Sequence, residues 1–126
     1  MNIKEVSLQF GISSATIRYY ERIGLIPPVT RNENGVRNFA SDDLCWLKFA
    51  KEIRDSGLSI EASIRYVHLY DDGADETIDA RKQLLFEQRN LLVEKMNEMK
   101  ASIDALNNRI EHIDILELST VEQAMA

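Results

Sequence analysis

Past Gly73 the remaining 53 residues contain neither glycine nor proline, and no other feature constrains the fold of this chain as strongly. Glycine and proline are the main punctuators of local structure, so an unbroken run of leucine, isoleucine, methionine and charges predicts one long helix. From Ile78 the run keeps a heptad, with Ile78, Leu85, Leu92, Met99, Leu106 and Ile113 at the d positions. The a positions Met96, Ile103 and Ile110 are apolar, whereas Lys82, Arg89 and Glu117 at either end are polar. Roughly 40 residues rising 1.5 Å each make a rod of about 60 Å. A single rod cannot bury its own seam, so the pattern predicts pairing with a second helix. The period alone does not fix the direction of that pairing.

Charge separates this region from what precedes it. The whole chain carries 15 basic and 21 acidic residues, a net of −6, an average that speaks mildly against a nucleic-acid partner. Residues 1–70, however, hold nine Lys/Arg against eight Asp/Glu, and residues 71–126 hold six against thirteen. All four tyrosines, the single tryptophan and both prolines lie in the first part. The expected organisation is therefore a head over 1–70, an acidic connector over 71–77, a dimerisation helix over 78–118 and a tail over 119–126.

Several classes drop out. Cys45 is the only cysteine, which excludes an intramolecular disulfide or a cysteine-cluster zinc site within one chain. Met1-Asn2-Ile3-Lys4-Glu5 lacks the apolar core of a signal peptide, and no stretch approaches the roughly 18 apolar residues of a membrane span. The expectation is a cytoplasmic protein with no membrane partner. No nucleophile motif, Gly-rich phosphate loop or metal-ligand spacing stands out, so neither an enzyme nor a cofactor or metal site is expected. The acidic run Asp71, Asp72, Asp75 and Glu76 does not follow the EF-hand ligand order. His68 and His112 are isolated.

The head punctuates itself. Ile3, Val6 and Phe10 at spacings of three and four mark a short amphipathic helix, and Gly11 stops it. Ser13 caps a second helix with Ile17 and Tyr20 on its inner side, ending near Gly24. Two short helices joined by a Gly11-Ile12-Ser13 turn make a helix-turn-helix. The second helix displays Ser14, Thr16, Arg18, Tyr19 and Arg22, hydroxyl and guanidinium groups suited to phosphates and base edges. Tyr19 is expected to face DNA and Tyr20 the core. An ordinary pairing of Arg18 with Glu21 is the competing reading, but Arg18 and Arg22 repel at i,i+4, which an anionic partner would relieve. Pro27-Pro28 enforces an extended path. Residues 29–39 then read as a hairpin turning at Asn34-Gly35, whose residues accept the positive φ angles of a tight turn. Arg31 and Arg37 sit on its arms, a basic wing beside the helices. Ser41-Asp42-Asp43 starts a third helix with a serine cap and two carboxylates, and Ser59 starts a fourth; both read as packing elements. Cys45, between Leu44 and Trp46, reads first as a small buried hydrophobe, with a redox or electrophile sensor as the alternative.

These residues resemble the MerR family of bacterial transcription regulators. The likeness rests on Val6-Ser7 through Gly11, on the run Thr16-Ile17-Arg18-Tyr19-Tyr20-Glu21-Arg22-Ile23-Gly24-Leu25-Ile26-Pro27-Pro28, and on Arg31, Asn34-Gly35, Arg37, Asp43-Leu44 and residues 54–61. It is dense over about the first 70 residues. The resemblance implies a mainly α fold: a winged helix-turn-helix head with a small β-hairpin wing, then a long C-terminal helix pairing as an antiparallel coiled coil. It also implies a homodimer on a pseudo-palindromic promoter element, distorting an overlong spacer so that RNA polymerase can engage. Thr16, Arg18 and Tyr19 match recognition-helix contacts and Arg37 the wing arginine; Arg31 and Asn34 are further wing contacts. Val36 and Phe39 stand where the family usually has tyrosines, so no hydroxyl is available there. A related subgroup carries a sensing cysteine where this chain has Glu52, which speaks against thiol sensing by that route and leaves the inducer open. The reading from another class is a protein-interaction adaptor that uses the coiled coil and binds DNA weakly.

Overall fold

The computed structural model describes residues 1–125. Six helices follow one another along them: α1 (Ile3–Phe10), α2 (Ser14–Arg22), α3 (Ser41–Asp55), α4 (Ile60–Asp72), α5 (Ile78–Glu111) and α6 (Ile113–Met125). The fold is mainly helical, a winged helix-turn-helix followed by a long C-terminal helix.

Side-chain caps set the starts of α1, α2 and α4. Asn2 and Glu5 form a reciprocal capping box on α1, with bonds of 2.9 and 3.2 Å between each side chain and the other's backbone N–H. The Ser13 hydroxyl accepts the Thr16 N–H at 3.1 Å, and Ser59 does the same for Ala62 at 3.1 Å. Gly11 closes α1 at φ 66°, a left-handed conformation that costs glycine nothing. The start of α3 departs from the serine cap expected there. Ser41 is already helical, Ala40 is the cap residue, and the Asp43 carboxylate takes the Ala40 N–H at 2.8 Å. The same Oδ2 atom accepts the Thr30 N–H at 3.2 Å, so it serves the wing as well as the helix.

One apolar cluster holds α1 to α4 and the wing together. Val6, Ile17, Leu25 and Leu47 are fully buried, with Tyr20, Ile26, Val29, Phe39, Ala50 and Val67 around them. At about 1.5–3 kcal/mol for each large apolar side chain taken from water, this cluster is the main source of head stability. On α3 the buried positions are Leu47, Ala50 and Ile53, spaced by three, which turns Cys45 outward. Cys45 is exposed, correcting the expectation of a buried cysteine.

Two features of the connector differ from a loose acidic link. Asp71 and Asp72 complete α4, so the break begins at Gly73. Thr77 then bonds back, its hydroxyl 2.8 Å from the Leu69 carbonyl and 2.7 Å from that of Gly73. The opening turns of α5 pack within the head. Leu84 joins Ile53, Leu58 and Ala62 in a second small cluster, and the Arg81 guanidinium lies over Tyr66 and Tyr70 at 5.9 and 5.2 Å. The first compact unit accordingly runs from Met1 to Gln88, and a second unit starts at Arg89.

In the second unit the heptad residues have no cover. Met96, Met99, Ile103, Leu106, Ile110 and Ile113 are between 51% and 71% exposed. Helical hydrogen bonding carries on through His112, between α5 and α6, by way of its N–H to Asn108 at 3.1 Å and its carbonyl to Leu116 at 2.8 Å. Of the tail expected over 119–126, residues 119–125 are part of α6, and Ala126 lies outside the described residues. No helix among the described residues is long and apolar enough to cross a membrane.

Candidate nucleic-acid interface

Alternation along α2 decides what faces outward. Ile17 and Tyr20 are buried at 0% and 9% exposure, and Tyr19 stands 37% exposed between exposed Arg18 and Arg22. Arg22 lies over the Tyr19 ring at 5.2 Å, a cation–π contact that holds both outward. Ser14 and Thr16 are half-buried. The Thr16 hydroxyl is 2.8 Å from that of Ser13, its cap partner.

The wing is shorter than a hairpin with two full strands. Its ladder reduces to one antiparallel bridge, Arg31 opposite Arg37, flanked by Asn32 N–H to Val36 carbonyl at 2.8 Å and Asn38 N–H to Thr30 carbonyl at 2.7 Å. The turn also differs from the expected one. Among the described residues only glycines have positive φ, so Gly35 (φ 76°) is left-handed and Asn34 is not. The Gly35 N–H closes on the Asn32 carbonyl at 2.9 Å, placing Glu33 and Asn34 at the centre of the turn with Gly35 as the left-handed residue after it. Asn32 organises this tip, its Oδ1 accepting the N–H of Asn34 at 2.9 Å and of Val36 at 3.1 Å. Asn34 and Arg31 are exposed, although Arg31 also donates to the Gly35 carbonyl at 2.9 Å.

Helix and wing meet at Glu21. The sequence suggests this carboxylate as a partner for Arg18; in the structure it serves the wing. Its Oε1 accepts from Arg37 Nε and Nη2, each at 2.8 Å, and lies 3.6 Å from Arg31 Nη2. Its Oε2 accepts the backbone N–H of Val29. The Glu21 side chain is 12% exposed, and a carboxylate that deep requires such partners. A signal was present: Glu21 follows Ile17 by four and so shares its inner face. Arg37 is thereby half-buried, not a free surface charge. A second missed contact joins α4 to the turn after α2, where His68 Nε2 is 2.8 Å from the Gly24 carbonyl.

The structure thus brings Arg18, Tyr19, Arg22, Arg31 and Arg37 onto α2 and the wing linked to it. Cys45 is separate, on the rim of a cleft of about 320 Å³ shared with Trp46, Phe49 and Tyr70. The described residues contain no group of three or more histidine, cysteine, aspartate or glutamate side chains placed to hold a metal.

Residues 1–69 match the family model described as MerR HTH family regulatory protein. The chain is 50% identical over 94 residues to the HTH-type transcriptional regulator AdhR of Bacillus subtilis, an alignment covering 75% of this chain and 66% of AdhR. A crystal structure of a Listeria monocytogenes protein assigned to the MerR family of transcriptional regulators superposes with a TM-score of 0.69 at 45% identity, covering 99% of this chain and 94% of that one. A second solved structure is of HiNmlR, a MerR family regulator lacking the sensor domain, bound to promoter DNA. It superposes at 0.63 with 28% identity, covering 93% of this chain and 92% of that one.

Proposed function

This chain belongs to the MerR family of helix-turn-helix regulators and is a DNA-binding transcriptional regulator; from that premise we propose how it binds. It acts as a homodimer, two heads reading a pseudo-palindromic promoter element while the paired α5 helices set the distance between half-sites. Arg18, Tyr19 and Arg22 enter the groove with Ser14 and Thr16 at the helix start, and Arg31, Asn34 and Arg37 follow the backbone from the wing. The dimer distorts the promoter spacer and so controls engagement by RNA polymerase in the cytoplasm. The seam from Ile78 to Ile113 holds the two copies together: Ile78, Leu85, Leu92, Met96, Met99, Ile103, Leu106, Ile110 and Ile113. No catalytic step is assigned to any residue.

The observation that carries this reading is the concentration of arginines on α2 and the wing in a chain of net charge −6. Five exposed or half-buried groups, Arg18, Tyr19, Arg22, Arg31 and Arg37, lie on two elements joined through one carboxylate. Apart from Glu21 and Glu33 at the wing tip, the acidic residues lie outside these two elements.

Arg18→Ala tests it, on a duplex recovered from a random-sequence pool by the full-length protein. Binding should weaken by about 1–3 kcal/mol if Arg18 reads a base, with the helical circular-dichroism signal unchanged. The wild-type affinity should fall steeply with salt, at a log–log slope of about 0.9 per phosphate neutralised. Recovery of no preferred sequence from the pool would refute specific binding. An unchanged affinity in Arg18→Ala would remove that residue from the interface. An adaptor acting through protein contacts alone predicts weak DNA binding with no sequence preference.

A further inference from the structure

The wing's single bridge sets Arg31 directly across from Arg37, and like charges opposite one another destabilise a strand pair. Something must offset that repulsion. Glu21 does so from another element, receiving two donors of Arg37 and approaching Arg31 on the same oxygen, while its second oxygen takes the Val29 N–H at the base of the wing. Both carboxylate oxygens are therefore engaged in tying the recognition helix to the wing.

The geometry on Arg37 is selective. A guanidinium has five N–H donors in a rigid plane. Glu21 engages Nε and Nη2, one edge of that plane, at 2.8 Å each. Among the described residues Nη1 has no hydrogen-bond partner, and 21% of the side chain remains exposed. Held on one edge, the plane has a fixed orientation, and its remaining donors keep the spacing that matches two oxygens of a phosphate.

We propose that Glu21 is a positioning residue for DNA binding: it clamps Arg37 by the Nε/Nη2 edge so that the Nη1 side is presented to a backbone phosphate. This rests on the reading of Arg37 as a backbone contact. It also runs against simple charge counting. Removing a carboxylate beside an anionic duplex should tighten binding by Coulomb attraction alone. Removing a clamp should loosen it, because Arg37 then loses its fixed orientation and must be ordered on binding.

The sign therefore decides between them. Full-length Glu21→Gln, Glu21→Asp, Arg37→Ala and the Glu21→Gln/Arg37→Ala double variant are titrated against the pool-selected duplex across a salt series, with thermal melts of each. Glu21→Gln should bind on the order of tenfold more weakly, the size of a missing charge-assisted hydrogen bond, with the salt slope shallower by about 0.9 for each phosphate that the wing no longer neutralises. Glu21→Asp keeps the charge but withdraws it by one methylene, and should weaken binding in the same direction. In the Arg37→Ala background Glu21→Gln should cause no further loss. Tighter or unchanged binding by Glu21→Gln overturns the clamp, as does an equal loss in the double-variant background, which would mark a general structural role. Should the Gln variant melt below the assay temperature, Glu21→Asp decides, and unchanged binding by it overturns the clamp. Wild-type affinity in Arg37→Ala removes Arg37 from the interface and the clamp with it; a loss there with none in Glu21→Gln refutes the clamp alone.

Discussion

Replacing Ile103 by glutamate probes the unit that begins at Arg89 without touching the head. Ile103 occupies an a position and is 57% exposed in the single chain, between Met99 and Leu106 at 62% each. Full burial of an isoleucine contributes about 1.5–3 kcal/mol, so covering the exposed 57% contributes about 0.9–1.7 kcal/mol per chain. Two-fold symmetry counts it twice, giving about 2–3.5 kcal/mol per dimer. At 1.4 kcal/mol for each factor of ten, the dimer dissociation constant should rise roughly 30- to 300-fold. Desolvating two carboxylates would add to that. Sedimentation velocity over a dilution series measures the constant directly. DNA binding should fail in the concentration range where the variant is monomeric and return above it. The thermal melt of the head should not move, since its clusters draw on residues up to Leu84. A dimer as tight as wild type would refute the argument that this stripe is the interface. Monomeric wild-type protein at micromolar concentration would refute it more broadly.

Two predictions concern the head itself. Ile17→Ala empties a site of 0% exposure between the helices and should destabilise the protein by about 2–5 kcal/mol in urea titrations; a loss below about 1 kcal/mol would mean that the core collapses around the gap. Ser13→Ala removes the α2 cap, with its 3.1 Å bond from the Thr16 N–H and its 2.8 Å hydroxyl contact, and should cost about 1 kcal/mol, whereas Ser13→Gly should cost only a few tenths.

Local chemistry made the helix-turn-helix legible. Ser13 and Ser59 are readable as caps, and Asn2 was equally open to that reading, because each of these bonds spans only three residues. Gly11 ends α1 because a left-handed residue is needed there. The inward direction of Tyr20 and outward direction of Tyr19 follow from helical period alone. Where the structure departs from the local pattern, additional contacts decided between local options. Asp43 displaced Ser41 because its carboxylate also reaches Thr30, thirteen residues away. The turn at Gly35 uses one left-handed residue instead of two because Asn32 binds two backbone N–H groups at the tip.

The glycine- and proline-free run determined by itself that the C-terminal part is helical and that a heptad of apolar side chains lies along it, because both depend only on neighbours within two turns. It did not determine where the head ends. That depended on Leu84 finding Ile53, Leu58 and Ala62, and on Arg81 lying over Tyr66 and Tyr70. Nor could it assign Glu21 to Arg37 over Arg18, since sequence spacing favours the partner three residues away. Only the folded wing brings Arg37 to within 2.8 Å of that carboxylate, sixteen residues along the chain, where burial obliges the charge to be paired.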